Sequence, residues 1–201
     1  MEFGFQILEM LQCLRSPWLD SLMLFFTSLG NAGILWILLT LGLLIYKPTR
    51  CLGLLCGLAL LLSLLFCNLL LKPLLQRPRP FSLREMELLI AAPKDFSFPS
   101  GHAASSFAFA AALYISRPKA GIAALLTAAL ISFSRIYLQV HFPGDVLAGA
   151  VLGVLCGYMA HVLLKFFEDI HAKRRGGGRS EKCRAKAENP LSDENSAGTD
   201  R

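Results

Sequence analysis

Three clusters of charged and histidine residues interrupt the long apolar stretches of this chain. In chain order they are Lys72 with Arg79, then Pro99-Ser100-Gly101-His102, then Ser134-Arg135 followed by His141 and Asp145. Three permanent cations suit a phosphate dianion and the charge that develops during its transfer. Two histidines and one carboxylate are the groups that proton transfer and nucleophilic attack require. The residue types therefore predict a site that binds and transfers a phosphate group.

The first cluster has two interpretations. Lys72 and Arg79 could anchor the end of a membrane helix by extending their charged ends to the lipid headgroups. Three prolines, however, restrict the backbone around both side chains: Pro73, Pro78 and Pro80. Cationic side chains on such a restricted backbone favour a binding site over a membrane anchor.

The second cluster marks the start of a helix. Ser100 is a favourable N-cap before an Ala-rich run. The free N–H groups of Gly101 and His102 would then form an anion site. In this position His102 could protonate a leaving oxygen.

The third cluster offers a nucleophile. Arg135 ends one apolar helix, and His141 to Asp145 turn the chain into the next. Asp145 could simply favour the start of that helix through its dipole. Alternatively, it could accept a hydrogen bond from one ring nitrogen of His141, which would leave the other nitrogen unprotonated and directed at phosphorus.

The remaining sequence indicates an all-α membrane protein. Of 201 residues, 54% are hydrophobic, and the mean hydropathy is +0.52. Segments 21–46 and 51–71 carry no charge and are long enough to cross a bilayer. Segments 100–116, 118–134 and 146–164 contain many small residues and predict closely packed helices. The sequence Gly30-Asn31-Ala32-Gly33 predicts a break within the first apolar region.

The ends of the chain differ from this membrane domain, which we place at residues 17–171. Residues 1–16 predict an interfacial amphipathic helix, and residues 172–201 a disordered cytoplasmic tail. Three basic connections outside the clusters fall on one side if the helices cross alternately: Lys47 with Arg50, Arg117 with Lys119, and the run 173–175. The positive-inside rule makes this side the cytoplasm, so the three clusters would lie on the outer face of the cell membrane.

Taken together, Lys72-x6-Arg79-Pro80, Pro99-Ser100-Gly101-His102 and Ser134-Arg135-x5-His141-x3-Asp145 resemble the signature of the type-2 phosphatidic acid phosphatase superfamily. This resemblance implies a six-helix core like that of vanadium haloperoxidases. It also implies a metal-independent phosphatase without a cofactor, which acts through a phosphohistidine. In family terms His141 is the nucleophile, Asp145 its partner and His102 the general acid. The implied phosphate ligands are Lys72, Arg79, Ser100, Gly101 and Arg135.

Several functions remain open at this point. The expected substrate is a lipid phosphate, with undecaprenyl diphosphate first and phosphatidylglycerophosphate or phosphatidic acid as alternatives. A lipid phosphotransferase could use the same site, whereas a scaffold or transporter would not need it. Membrane lipids are expected neighbours. Nucleic acid is not an expected partner, because no aromatic residues alternate with the basic ones near the C-terminus.

Overall fold

The computed structural model describes the backbone of residues 2–188 and the side chains of residues 2–170. This part of the chain is helical and contains no strand. The helices are α1 (Glu2–Cys13), α2 (Pro17–Gly30), α3 (Ile34–Ile45), α4 (Arg50–Ser63), α5 (Lys72–Leu75), α6 (Pro80–Leu83), α7 (Gly101–Ser116), α8 (Pro118–Tyr137) and α9 (Pro143–Glu188). A π-helical segment, Leu64–Leu71, joins α4 to α5. The described part of the chain divides into two compact units at residue 161, and all three clusters belong to the first.

Four stretches of the described residues are long and apolar enough to cross a membrane: Pro17–Ile45, Lys47–Leu83, Pro118–Tyr137 and Pro143–Ile170. Their outer surfaces carry many exposed large apolar side chains, as lipid-facing helices do. The all-α membrane bundle is therefore confirmed. Its six-helix core consists of α2, α3, α4, α7, α8 and α9.

The predicted break in the first apolar region is also confirmed. A 3₁₀ turn, Asn31–Gly33, separates α2 from α3. Ala32 and Gly33 have φ angles of 50° and 68°, in the left-handed region that ends a right-handed helix. The turn places Asn31 beside the second cluster, as described below.

Small residues bring α9 close to α7. A Cβ atom on Gly149 would lie 2.5 Å from the carbonyl oxygen of Ser100, and one on Gly153 would lie 2.4 Å from that of Ala104. Glycine permits this approach because it has no side chain, and the same property allows helices to associate in lipid. The start of α7 and the start of α9 are joined directly, since the Ser100 N–H donates to the Asp145 carbonyl at 3.0 Å.

Helix α1 packs beside the turn between α8 and α9. Phe5 meets Phe142 edge to face at 5.2 Å between ring centroids, and the side-chain amide of Gln139 donates to the Leu8 carbonyl. Arg84 pairs with two acids on α1, Glu2 and Glu9. The position of α1 in a membrane interface stays a prediction.

The backbone of residues 172–188 is helical and continues α9 to Glu188, where the sequence predicted a disordered tail from residue 172. The cytoplasmic position of the tail stays a prediction. Residues 189–201 of the predicted tail lie outside the described residues.

Candidate active site

The three clusters meet around a cavity of about 350 Å³. Six of the eight predicted site residues line it: Lys72, Arg79, Gly101, His102, Arg135 and His141. The other two, Ser100 and Asp145, are fully buried behind its wall. The cavity wall also contains residues that the sequence analysis did not select, among them Thr27, Asn31 and Asp95.

Short helical segments position the first cluster. Lys72 begins α5 directly after the π-helical segment and is 7% exposed. Such π-helical insertions shift the register of a helix, so they redirect the side chains that follow. Arg79 precedes α6 in extended conformation, and its side chain is 4% exposed.

Every nitrogen of the Arg79 guanidinium has a partner. Nε donates to the Asp95 carbonyl at 2.8 Å. Nη1 donates to the Val140 carbonyl at 2.6 Å and lies 3.2 Å from Nε2 of His141. Nη2 donates to a carboxylate oxygen of Asp95 at 2.6 Å and lies 3.4 Å from the Phe96 carbonyl. The guanidinium is thus fixed between the loop before α7 and the turn after α8.

The contact with Arg79 defines the tautomer of His141. A guanidinium can only donate hydrogen bonds, so Nε2 of His141 must be the acceptor and carry no proton. Burial lowers the pKa of His141, Asp145 opposes this effect, and the positive charges of Arg79 and Arg135 lower it further, to about 4. The imidazole is therefore neutral at pH 7, with an unprotonated nitrogen facing the cavity.

Asp145 supports His141 in a different way from the one we predicted. Its carboxylate is 3.7 Å from Nδ1 of His141, which is too long for the predicted direct hydrogen bond. One carboxylate oxygen instead accepts from the Ser97 hydroxyl and the Phe142 N–H, and the other accepts from Arg77 at 2.7 Å. The Ser97 hydroxyl, from the loop before α7, also lies 3.5 Å from Nδ1 of His141.

His102 lies in the first turn of α7, as predicted, and its position depends on the break after α2. Its Nε2 is 3.1 Å from the side-chain oxygen of Asn31. Gly30 makes room for the imidazole, because a Cβ atom there would lie 2.7 Å from ring carbon Cδ2. The sequence marked this segment only as a helix break, and nothing in its pattern indicated a wall of the site.

Arg135 retains a free donor. Its Nη1 donates to the Thr27 hydroxyl at 2.6 Å, whereas its Nε is buried and has no hydrogen-bond partner among the described residues. A buried charged donor without a partner is costly unless a ligand supplies one. Arg135 lines the cavity, so an anion there could satisfy it.

Ser100 occupies the predicted N-cap position of α7, but its hydroxyl makes no capping hydrogen bond. Its role as a phosphate ligand stays a prediction. The hydroxyl is buried, has no hydrogen-bond partner in the part of the chain that the structure describes, and does not line the cavity. The reason is the close packing of α9 on this end of α7, which encloses Ser100 completely. Gly101, the next residue, does line the cavity.

Asp95 forms the most direct contacts with the predicted phosphate ligands. One carboxylate oxygen pairs with the Lys72 ammonium and the other with the Arg79 guanidinium. Burial alone would raise the pKa of Asp95, but the hydrogen bonds and charges of Lys72 and Arg79 outweigh it and lower the pKa to about 2. Asp95 is therefore ionised at any physiological pH. A lone acid in a long loop gave no signal in the sequence.

An apolar groove of about 640 Å³ adjoins the cavity. It runs between α3 and α4, with Ile37, Leu41, Leu60 and Leu64 among its walls. Groove and cavity share four residues: Lys72, Asp95, Gly101 and His102. A ligand could thus hold a polar group in the cavity and an apolar chain in the groove. Within the described residues, no three His, Cys, Asp or Glu side chains are grouped closely enough to hold a metal ion.

Comparisons with known proteins agree with this architecture. The PAP2 superfamily model matches residues 52–168, which is more than half of the chain. The chain is 31% identical over 160 residues to a protein named undecaprenyl-diphosphatase from Sulfolobus acidocaldarius, which covers 79% of this chain and 77% of that protein.

Two crystal structures have a similar fold. One is described as the first transmembrane PAP2 type phosphatidylglycerolphosphate phosphatase from Bacillus subtilis. Its TM-score is 0.68 at 30% identity, covering 82% of this chain and 85% of that one. The other is LpxE from Aquifex aeolicus, with a TM-score of 0.67 at 31% identity, covering 78% and 93%.

Proposed function

The chain belongs to the PAP2 superfamily, and we propose that it hydrolyses the phosphate or diphosphate of a membrane lipid through a phosphohistidine intermediate. The observation that carries this proposal is the unprotonated Nε2 of His141, which faces a cavity lined by three cationic side chains. A neutral imidazole is a competent nucleophile, and the cations stabilise the charge on the transferring phosphoryl group.

The reaction has two steps. In the first, Nε2 of His141 forms a bond to phosphorus while the bond to the lipid oxygen breaks, and His102 gives that oxygen a proton. In the second, His102 takes a proton from water, whose oxygen attacks phosphorus and releases His141 and inorganic phosphate. The arginine and lysine side chains hold the phosphate oxygens in both steps. No step requires a metal ion.

The groove supports a lipid as substrate. It opens from the cavity along apolar residues of α3 and α4, which would contact an acyl or polyprenyl chain while the phosphate is bound. Each buried CH₂ group contributes roughly 0.8 kcal/mol. A few chain carbons in the groove would therefore add much of the binding energy.

Undecaprenyl diphosphate is our leading substrate. The relative from Sulfolobus acidocaldarius carries that activity in its name and matches most of this chain. Phosphatidylglycerophosphate or phosphatidic acid is the alternative, supported by the similar fold of the Bacillus subtilis enzyme. A diphosphate brings more negative charge than a monoester, and three cations suit that charge.

We place the site on the outer face of the membrane. Two of the basic connections, around Lys47 and around Lys119, follow the C-terminal ends of α3 and α7. These helix ends are distant in sequence from the clusters. Positive charge of this kind marks the cytoplasmic side. The C-terminal tail would then be cytoplasmic.

Two measurements test the function. His141→Ala should abolish release of free phosphate from a panel of lipid phosphates assayed in detergent, because no nucleophile remains. His161→Ala should keep activity, since His161 lies on α9 away from the cavity. Full activity of the His141 variant would exclude the mechanism. If wild-type protein transfers the phosphate to another lipid and releases none, the enzyme is a phosphotransferase.

A matched pair of variants tests the role of the groove. Gly57 lines the groove, and a Cβ atom there meets only Thr40 at 3.5 Å, so Gly57→Leu should fill the groove without a clash in the helix. Gly42 has open space around it and does not line the groove. We expect Gly57→Leu to raise KM for long-chain lipid phosphates only, and Gly42→Leu to leave KM unchanged. Equal KM values in both variants would exclude the groove as the lipid site.

A further inference from the structure

Asp95 pairs with cationic side chains that a bound phosphate would need. Its two carboxylate oxygens pair with Lys72 and Arg79, two of the three cations that line the cavity. A phosphate bound to the same cations would present its oxygens to the same donors. The carboxylate and the phosphate therefore cannot use these donors together.

The hydrogen bonds of Arg79 show where the competition occurs. Its Nε and Nη1 are held by the carbonyl oxygens of Asp95 and Val140. Nη2 donates to the Asp95 carboxylate at 2.6 Å, and among the described residues its only other hydrogen-bond partner is the Phe96 carbonyl at 3.4 Å. Nη2 can therefore bind a phosphate oxygen fully once the carboxylate leaves. Arg135, by contrast, already has an unpaired donor.

The Asp95 carboxylate has room to rotate away from the two cations. The Asp95 side chain is 53% exposed and lies where the cavity meets the groove. Rotation of the side chain alone would free both cations. The backbone carbonyl of Asp95 would still hold Nε of Arg79, so the guanidinium would keep its place.

We propose that Asp95 is an internal competitor for phosphate, which lowers the affinity of the site for every phosphate and thereby promotes release of inorganic phosphate. A tethered carboxylate acts at a high effective concentration, so any anion pays the same displacement cost. A lipid substrate offsets this cost through chain carbons in the groove. Inorganic phosphate binds through the cations alone and cannot offset this cost. Asp95 therefore reduces the occupancy of the site by inorganic phosphate more than its occupancy by a lipid substrate. This inference rests on the phosphate chemistry proposed above.

Asp95→Asn tests the competition, because asparagine keeps the shape and removes the charge. Inorganic phosphate and orthovanadate should both inhibit this variant at concentrations about tenfold lower than for wild type, which is about 1.4 kcal/mol. The matched control is Glu85→Gln, which removes one negative charge from the same loop at an exposed position outside the cavity. It should change inhibition by less than about twofold, since exposed charges are screened. Asp95→Glu keeps a carboxylate near the same cations, so its inhibition by phosphate should lie closer to that of wild type than the inhibition of Asp95→Asn does.

The sign of the change separates competition from a structural role. If Asp95 mainly holds Arg79 in place, Asp95→Asn would weaken orthovanadate binding, and that result would overturn the proposal. Equal inhibition constants in Asp95→Asn and Glu85→Gln would overturn it as well. Orthovanadate binding by calorimetry needs no turnover, so the outcome is independent of the substrate. Tighter binding by Asp95→Asn in a protein that releases no phosphate from lipids would exclude the proposed function, whereas the competition between Asp95 and a bound phosphate would stand.

Discussion

Replacing Arg77 with glutamine removes the positive charge that pairs with the buried carboxylate beside the nucleophile. Arg77 lies 2.7 Å from Asp145, and its guanidinium also lies over the Phe142 ring, 4.7 Å from the centroid. The Asp145 side chain is completely buried, whereas that of Arg77 is 32% exposed. Breaking such a pair leaves a buried charge with fewer partners.

The size of the effect follows from the remaining contacts. Ser97 and the Phe142 N–H still donate to Asp145 in the variant. The loss is therefore that of one charge-assisted hydrogen bond, about 2 kcal/mol. If that loss disturbs the alignment of His141 in the transition state, kcat/KM falls by about thirtyfold at neutral pH.

The same variant should shift the pH profile in a defined direction. Without Arg77, the negative charge of Asp145 acts more strongly on His141 and raises its pKa from about 4. The nucleophile must be unprotonated, so the acid limb of kcat/KM moves to higher pH. The assay is release of phosphate from a lipid phosphate in detergent, measured across pH for both proteins.

Arg84→Gln is a matched control. Arg84 also pairs with carboxylates and lies over a ring, that of Phe5, at 4.0 Å. Its partners, Glu2 and Glu9, are 80% and 60% exposed, so its loss should cost at most about 1 kcal/mol. If Arg77→Gln shows the same kcat/KM as Arg84→Gln, and the same acid limb in its pH profile, the argument from the buried Asp145 carboxylate is wrong.

Three other experiments address the acid, the metal and the orientation. His102→Ala should lose activity on lipid phosphates but keep much of it on p-nitrophenyl phosphate, whose leaving group needs no proton; equal losses on both would exclude His102 as the acid. Activity should survive EDTA, because side-chain cations already compensate the phosphate charge; loss with EDTA and rescue by Mg²⁺ would contradict this. In cells expressing a protein without native cysteines, Glu87→Cys should react with a membrane-impermeant thiol reagent, whereas Lys119→Cys should react only after the membrane is opened. The opposite labelling would place the site in the cytoplasm.

The sequence by itself determined the membrane bundle, its break after α2 and six of the residues that line the cavity. This was possible because charged and histidine residues are costly in apolar segments, so those that occur there have a specific use. The many small residues of segments 100–116 and 146–164 also predicted closely packed helices, and the contacts of Gly149 and Gly153 confirm this for α7 and α9. A local sequence pattern was enough to predict the features that depend on a single segment of the chain.

The tertiary structure alone decided how the site is held together. Arg77 and Asp145 are 68 residues apart, Asn31 and His102 are 71 apart, and Thr27 and Arg135 are 108 apart. Each pair depends on the path of a loop and the packing of helices, which no local pattern records. The same packing enclosed Ser100 and brought Asp95 onto two cations. A side chain's type can be read from the sequence, but its partner depends on which helices meet.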